Sequence, residues 1–173
     1  SQGCPNAATQ LFTATIENTS VGNAANVYQW YIDNVAVPAA PTNKSNFTHS
    51  YQNNTPALRN YAIRLRATNP EGCYSEKTGT ITVNEYVDAQ FSIVNPAGCT
   101  PWNVQFNNTS LAPATNTNYY WDYNDNTSSG GSSASQSHLF YNESRTTDKP
   151  DRISLTVTSE NNCTDTVSAP ILV

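Results

Sequence analysis

Tyr61-Ala62-Ile63-Arg64-Leu65-Arg66-Ala67 is the stretch that decides the fold of this chain. Apolar side chains occupy every second position, and two arginines stand between them. A period of two is typical of a β-strand that has one buried face and one solvent-exposed face. We therefore predict a strand here, with its apolar residues pointing into a core and its arginines pointing outward.

The same pattern returns later in the chain as part of an internal repeat. Ile153-Ser154-Leu155-Thr156-Val157 begins 90 positions after Ile63. Other landmarks recur at offsets of 89 to 95, and the drift is typical of loops that differ in length. These landmarks are Gly3-Cys4 with Gly98-Cys99, Trp30 with Trp121, His49 with His138, and Cys73 with Cys163. We predict two domains, residues 1–86 and 87–173, each close to the length of an immunoglobulin-like sandwich.

Further short alternating segments indicate an all-β protein. Leu11–Ile16, Val27–Ile32 and Thr80–Val83 are predicted strands of the first copy, and no segment shows the spacing of an amphipathic helix. Trp30 and Trp121 fall on alternating strands at matching positions, which favours a core role over a sugar-stacking role. The fold predicted is two tandem immunoglobulin-like β-sandwiches, with an exposed polar loop over Asn124–Gln136.

Composition and charge exclude several classes of function. The 173 residues include only 8 Lys plus Arg and carry a net charge of −5, which argues against nucleic-acid binding. No apolar run approaches the ~20 residues that a membrane helix needs. No combination of nucleophile, base and carboxylate is identifiable, and neither His49 nor His138 can be assigned a carboxylate, so we predict no enzymatic activity.

The four cysteines predict disulfides rather than a metal site. No C-x₂-C pair is present, and the histidines stand far from the cysteines in the sequence. Four cysteines allow three connectivities, and only Cys4–Cys73 with Cys99–Cys163 respects the duplication. Disulfides indicate an oxidising compartment, so an extracellular or cell-surface location is predicted.

The landmarks together resemble the PKD domain family, in the form found in secreted and cell-surface proteins of Bacteroidetes. The second copy carries the clearest motifs, which are Gly98-Cys99-Thr100-Pro101, Val104–Ser110, Trp121–Asn126, His138 and Asn162–Asp165. The first copy is more divergent, and both copies lack the glycines of the family's acidic turn. The resemblance implies a sandwich that serves as a spacer, an adhesin segment or a ligand-binding module, and it does not imply catalysis.

Four kinds of candidate site remain. Asp122, Asn124 and Asp125 offer oxygen ligands and predict at most weak Ca²⁺ binding, although Asx-turns explain the same composition. Trp102 has no counterpart in the aligned first copy and is the candidate for stacking on a glycan, although single exposed aromatic residues are common. Thr166 follows an aspartate in a segment that resembles a Bacteroidetes O-glycosylation motif. The fourth candidate is an exposed sheet edge, including Ile171–Val173, which could pair with a strand of another copy.

Two functions stay open at this point. The first is a structural or adhesive repeat of an extracellular cell-surface protein or filament, whose partners are neighbouring domains or copies and surface glycans or proteins. The alternative is a carbohydrate-binding accessory module of a secreted protein, which exposed coplanar aromatic residues would favour. The opening Ser1-Gln2 is expected either for a processed subunit or for a fragment of a longer array.

Overall fold

The structure is a computed structural model that describes residues 2–131, 135–144 and 147–173. Within these ranges the chain forms fourteen β-strands and no helix, and therefore no helix that could cross a membrane. Two compact units are present, the first comprising residues up to Asn54 together with Leu58–Asn84, and the second Thr55–Ala57 together with Glu85–Val173. We refer to them as the first and second domains.

The first domain forms two sheets. One sheet has the order β1-β7-β6-β3-β4 and the other pairs β2 with β5. Their bounds are β1 Gln2–Gly3, β2 Leu11–Ile16, β3 Val27–Ile32, β4 Val35–Ala36, β5 Phe47–Gln52, β6 Arg59–Thr68 and β7 Tyr74–Val83.

The second domain repeats this arrangement with a different strand at its start. One sheet has the order β11-β10-β13-β14 and the other has the order β12-β9-β8. The bounds are β8 Phe91–Val94, β9 Trp102–Asn108, β10 Asn118–Asp122, β11 Ser128–Gly131, β12 Ser135–Phe140, β13 Pro150–Thr158 and β14 Thr164–Leu172. The all-β, immunoglobulin-like fold predicted from the sequence is confirmed.

Alternation along the central strands builds each core, as the sequence predicts. Tyr61, Ile63 and Leu65 of β6 are buried, and Ile153, Leu155 and Val157 of β13 are 0% exposed. Trp30 pairs across the sheet with Leu65, and Trp121 pairs in the same way with Leu155. Burial of such side chains contributes about 1.5–3 kcal/mol each, so these strands provide much of the stability of each domain.

The two cores fill one equivalent position differently. In the first domain the cross-strand pair Ile16–Phe47 supplies an aliphatic residue on β2 and an aromatic residue on β5. In the second domain Phe106 of β9 is opposite Gln136 of β12. The aromatic ring thus moves to the neighbouring strand, and it packs against tryptophan in both cases, at 5.6 Å between ring centroids.

In each domain the segment beside the Gly-Cys motif runs parallel to the last strand. β1 pairs with β7 in parallel, with Gln2 opposite Thr82 and Gly3 opposite Val83. The second domain has the same feature as a single parallel bridge between Ala97 and Leu172. In the first domain, β1 and the end of β7 are therefore joined directly by backbone hydrogen bonds.

Neutral hydroxyl pairs cross the exposed faces of two sheets. Thr13 meets Ser50 at 2.8 Å and Thr15 meets Thr48 at 3.0 Å on the β2–β5 pair. Thr156 meets Thr166 at 2.9 Å and Thr158 meets Thr164 at 3.3 Å on the β13–β14 pair. Such cross-strand pairs stabilise a sheet by about 0.2–1 kcal/mol each.

The polar segment Asn124–Gln136 differs from its prediction as a loop. Its Ser128–Gly131 portion forms β11, which pairs antiparallel with β10, and β12 begins at Ser135. The backbone of this segment pairs with β10, so it forms a strand although its Ser and Gly side chains bury little. Residues 132–134 of the predicted loop lie outside the described residues.

Candidate functional site

Trp102, the predicted glycan contact, is half-buried rather than exposed. It begins β9 opposite Phe140, and the two ring centroids are 6.4 Å apart. Its ring also covers Gly98, where a Cβ atom would stand only 2.4 Å from Trp102 Cδ1 and Nε1. The glycine of the Gly-Cys motif is therefore required because an aromatic ring occupies the space of its side chain.

The structure gives Trp102 a counterpart, which corrects the expectation from the sequence. Phe12 takes the same strand position in the first domain, because it pairs with Tyr51 as Trp102 pairs with Phe140. A Cβ on Gly3 would stand 2.3 Å from Phe12 Cε2, which repeats the contact with Gly98. More residues separate the first cysteine from this strand position in the first copy than in the second, and this difference hid the match in the sequence.

Trp102 and the tyrosines of Tyr119–Tyr123 do not form one exposed aromatic face. Trp102 belongs to the sheet β12-β9-β8, and Tyr119–Asp122 belongs to the other sheet of the domain. Trp121 and Tyr123 are buried, and Tyr120 is the member that is exposed, at 47%. The coplanar platform that the carbohydrate-binding alternative needs is absent from the described residues around Trp102.

The candidate calcium residues form Asx-turns. The Asp122 carboxylate accepts a hydrogen bond from the Asn124 amide at 2.9 Å, and Asp125 accepts one from the Thr127 amide at 3.0 Å. Asn124 and Asn126 adopt φ values of 59° and 67°, which asparagine tolerates better than most residues. In the described part of the chain, no three His, Cys, Asp or Glu side chains are grouped to hold a metal ion.

Asp125 also forms a pair with His138, which the sequence did not reveal. Its Oδ2 lies 2.7 Å from His138 Nε2, and the imidazole stacks on the Tyr123 ring at 4.0 Å and 4°. Burial raises the pKa of Asp125, but hydrogen bonds from Thr127 and His138 outweigh it and leave this pKa below its ordinary value. The expectation that neither histidine has a carboxylate is therefore wrong for His138.

This pair does not have the geometry of a catalytic relay. A relay needs the nucleophile and the carboxylate at opposite nitrogens of the imidazole. Here the Thr127 hydroxyl lies 3.4 Å from His138 Nε2, the same nitrogen that faces Asp125. The arrangement instead fixes the turn between β10 and β11 against β12.

His49 occupies the matching position in the first domain without a carboxylate partner among the described residues. It lies between the rings of Phe47 and Tyr51, at centroid distances of 5.6 Å and 4.8 Å. Burial lowers the pKa of His49, because the apolar surroundings disfavour the imidazolium. Burial, followed by repulsion from Tyr61, raises the pKa of Tyr51 to about 12.

The predicted disulfide pairing is wrong in the structure. Cys4 and Cys163 are the disulfide-bonded cysteines, while Cys73 and Cys99 are free and exposed. Neither the Cys4–Cys73 bond nor the Cys99–Cys163 bond is therefore formed. The repeat makes Cys73 and Cys163 equivalent in local structure, but it does not determine which sulfur atoms come within bonding distance.

The turns that carry Cys73 and Cys163 are nevertheless alike. The Asn69 amide donates to the Cys73 carbonyl at 2.9 Å, and the Ser159 amide donates to the Cys163 carbonyl at 2.9 Å. Gly72 has a φ of 86° and Asn162 a φ of 59° at the equivalent position before the cysteine. The two cysteines therefore differ in bonding and burial, and not in the backbone that presents them.

The outer faces of the equivalent sheets carry different chemistry. In the first domain Glu76 pairs with Arg64 at 2.5 Å and with Arg66 at 2.7 Å, and these arginines lie over the rings of Tyr31 and Tyr74. In the second domain the position of Glu76 is taken by Thr166, whose hydroxyl pairs with Thr156 on the exposed face. The predicted glycosylation residue therefore lies on an accessible strand surface.

Comparisons with known proteins do not assign the chain to a family. No protein-family profile matches the chain, and no curated protein sequence matches it. One similar solved structure is the SGBP-B protein of the Bacteroides ovatus mixed-linkage glucan utilization locus, in complex with a mixed-linkage heptasaccharide. It has a TM-score of 0.36 and 10% identity, and the alignment covers 92% of this chain and 40% of that chain. Another is an amphioxus IgVJ-C2 molecule, with a TM-score of 0.39, 12% identity, and coverage of 92% of this chain and 95% of that chain.

Proposed function

We propose that this chain is a structural repeat segment of an extracellular cell-surface protein or filament, acting as a spacer and interaction module. The observation that carries the proposal is the parallel pairing of β1 with β7. When force acts on the chain before β1 and after β7, these two parallel strands are loaded along their length. All of the hydrogen bonds between them then resist together, whereas strands paired as a hairpin would open one bond at a time.

The pattern of what the duplication keeps supports the same role. The equivalent positions that agree are core residues and glycines covered by an aromatic ring, such as Trp30 with Trp121 and Gly3 with Gly98. The exposed faces differ, with an arginine–tyrosine cluster in one domain and threonine pairs in the other. A duplicated ligand site would require the surface chemistry to be repeated, while a spacer requires only the scaffold.

Glycans are a secondary class of partner in this proposal. Trp102 remains the candidate contact, although its ring is half-buried against Phe140 and Gly98. Thr166 remains the candidate for O-glycosylation, because its hydroxyl lies on the exposed face of β14. Glycan-array binding that Trp102→Ala abolishes would promote the carbohydrate-binding alternative above the structural one.

Single-molecule pulling on the reduced chain tests the proposal. Each domain of roughly 80 residues should release about 250–300 Å of contour length when it unfolds, from the reach of an extended chain. We expect Asn84→Pro to lower the unfolding force of the first domain, since proline cannot donate the hydrogen bond that the Asn84 amide makes to the Gly3 carbonyl of β1 at 2.9 Å. Leu11→Pro is the matched control on a strand that does not join the domain's ends. An unfolding force equally insensitive to both changes would refute the mechanical role of β1.

A further inference from the structure

A polar pocket of about 320 Å³ lies on the outer face of the second domain, where the chain passes from β10 to β11. Pockets that hold small ligands in proteins have volumes of roughly 300–1,000 Å³. Tyr120 and Asp122 line the pocket from β10, where they are two positions apart and therefore on one face of the strand. The turn and the start of β11 supply the rest of the lining, which is Asn124, Asn126, Thr127 and Ser128.

The ring of Tyr120 provides an open aromatic surface beside this pocket. Tyr120 is 47% exposed, and the residue opposite it on β11 is Gly130. A Cβ atom at Gly130 would stand 3.7 Å from Tyr120 Cδ2, so a larger side chain at this position would begin against the ring and cover it. Among the described residues, no other ring and no cationic side chain packs on Tyr120. The ring is therefore available to a ligand.

The pocket also contains hydrogen-bonding groups that the fold does not use. Asp122 accepts a hydrogen bond from the Asn124 amide through Oδ1, while its Oδ2 has no partner among the described residues. Within the same ranges, the Asn126 amide group and the hydroxyls of Tyr120 and Ser128 also have no hydrogen-bond partner. The pocket thus combines a charged acceptor with groups that can both donate and accept.

Buried and half-buried residues beneath the pocket hold its lining in place. Asn124 donates from Nδ2 to Oδ1 of Asp151 at 3.0 Å, and Asp151 is only 6% exposed. The Thr127 amide donates to Asp125, and the other carboxylate oxygen of Asp125 lies 2.7 Å from His138 Nε2. A lining that is already fixed by the fold loses little conformational freedom when a ligand binds.

The equivalent face of the first domain is covered by charged side chains. Tyr31 takes the position of Asp122 there, and the guanidinium of Arg64 lies over its ring at 3.8 Å. Arg64, Arg66 and Glu76 are replaced in the second domain by small hydroxyl side chains, which are Ser154, Thr156 and Thr166. The second domain therefore has an uncharged, hydroxyl-rich surface next to its open ring, where the first domain has ion pairs and an arginine stacked on tyrosine.

We propose that this pocket binds a neutral carbohydrate, with one pyranose ring packed on Tyr120. A pyranose presents C–H groups on its face, which pack on an aromatic ring, and hydroxyls around its edge, which need donors and acceptors. Asp122 Oδ2 would accept hydrogen bonds from the sugar hydroxyls, and the side chains of Asn126 and Ser128 would donate to others. No lysine or arginine belongs to the lining, and Asp122 would repel an acidic sugar, so the ligand is a neutral one.

This inference goes beyond the spacer role, because a spacer needs no ligand site. It adds a glycan contact on the sheet that contains β10, whereas Trp102 belongs to the other sheet of the domain. It does not depend on the mechanical strength of the β1–β7 pairing. The pulling experiment and the sugar-binding experiment can therefore fail independently of each other.

An NMR titration of the whole chain, followed at individual backbone amides, tests the proposal. The probes are neutral cello-, manno- and galacto-oligosaccharides at millimolar concentration, with oligogalacturonate as the acidic comparison. EDTA is present throughout, so that loss of a calcium ion cannot explain any effect of a substitution at Asp122. We expect at least one neutral probe to shift the amide signals of Asn126, Thr127 and Ser128 and to leave those of the first domain unchanged. Oligogalacturonate should cause no shift.

Four variants locate the binding. Tyr120→Ala should weaken it about tenfold, because the packing surface is lost. Asp122→Asn can still accept the hydrogen bond of the turn through its side-chain oxygen, and it should also weaken binding about tenfold, because a charged acceptor is lost. Gly130→Val should block binding without removing any lining residue, because its side chain covers the ring. Tyr141→Ala is the matched control, since Tyr141 is 60% exposed and lies outside the pocket, and it should bind as the unmodified chain does.

The absence of any shift with all three neutral probes would overturn the inference. An unchanged dissociation constant in Tyr120→Ala would also overturn it, because the sugar would then bind elsewhere on the chain. Unfolding temperatures of the variants show whether each is folded. Shifts that map to the pocket and weaken in folded Tyr120→Ala and Gly130→Val, but not in Tyr141→Ala, support the site.

Discussion

Truncating Phe91 to alanine should destabilise the second domain by about 2 kcal/mol. A fully buried Phe→Ala change costs roughly 3–5 kcal/mol, and Phe91 is half-buried, so about half of that range applies. The loss arises because the Phe91 ring contacts Trp121 at 5.1 Å and Phe106 at 6.2 Å. For a domain of this size the change corresponds to a fall of about 10 °C in unfolding temperature.

Thermal unfolding followed by tryptophan fluorescence measures this effect. A Trp30→Phe background removes the buried tryptophan of the first domain, so that the signal reports mainly on the second. Ser92→Ala is the matched control, because Ser92 is exposed on the same strand. Hydrogen exchange should show the loss of protection in β9 and β10 and leave β2 and β3 unchanged. A Phe91→Ala protein no less stable than Ser92→Ala would refute the view that β8 closes this core.

Four further outcomes are expected. A maleimide should label Cys73 and Cys99 in the folded, unreduced chain, and labels on Cys4 or Cys163 would contradict the bonding described. The pKa of His49 is lowered from 6.5 in the folded state, so as pH falls the unfolded chain binds a proton at this histidine before the folded chain does. The free energy of unfolding of the first domain should therefore fall as pH drops from 7 to 5, and His49→Gln should remove that fall. Tyr51→Phe should leave the free energy of unfolding unchanged, because the buried Tyr51 hydroxyl has no hydrogen-bond partner among the described residues. Tyr61→Phe should lower the free energy of unfolding by about 1 kcal/mol, because it loses the hydrogen bond from the Tyr61 hydroxyl to the Gln52 carbonyl. Equal effects of the two changes in urea unfolding would contradict this. Calorimetry should find at most a weak heat with Ca²⁺ that Asp122→Asn removes, and no heat with an unchanged melting temperature would end the calcium hypothesis.

Local patterns predicted the strands and their facing well. Alternation placed Tyr61, Ile63 and Leu65 inward, and these side chains are buried. The repeat placed Trp30 and Trp121 at matching core positions, and each pairs with a leucine of the adjacent strand. These features depend on short-range periodicity, which a sequence displays directly.

Features that depend on long-range geometry were not predictable in the same way. The cysteine bonding requires knowing which sulfur atoms approach each other, and a repeat offset contains no such distance. The Asp125–His138 contact joins residues 13 positions apart across β11, a strand that the composition did not reveal. The match of Phe12 with Trp102 became visible only through strand register, because the offset changes between the cysteine and the strand.

The hydroxyl pairs on the exposed faces have a consequence for the medium in which the protein works. Neutral pairs such as Thr15–Thr48 and Thr156–Thr166 contain no net charge for dissolved ions to screen. Surface ion pairs weaken as salt shortens the Debye length from about 10 Å at 0.1 M to about 3 Å at 1 M. The strand pairs that these hydroxyls join should therefore keep their cross-strand bonds at high salt, whereas the ion pairs of Glu76 with Arg64 and Arg66 should weaken.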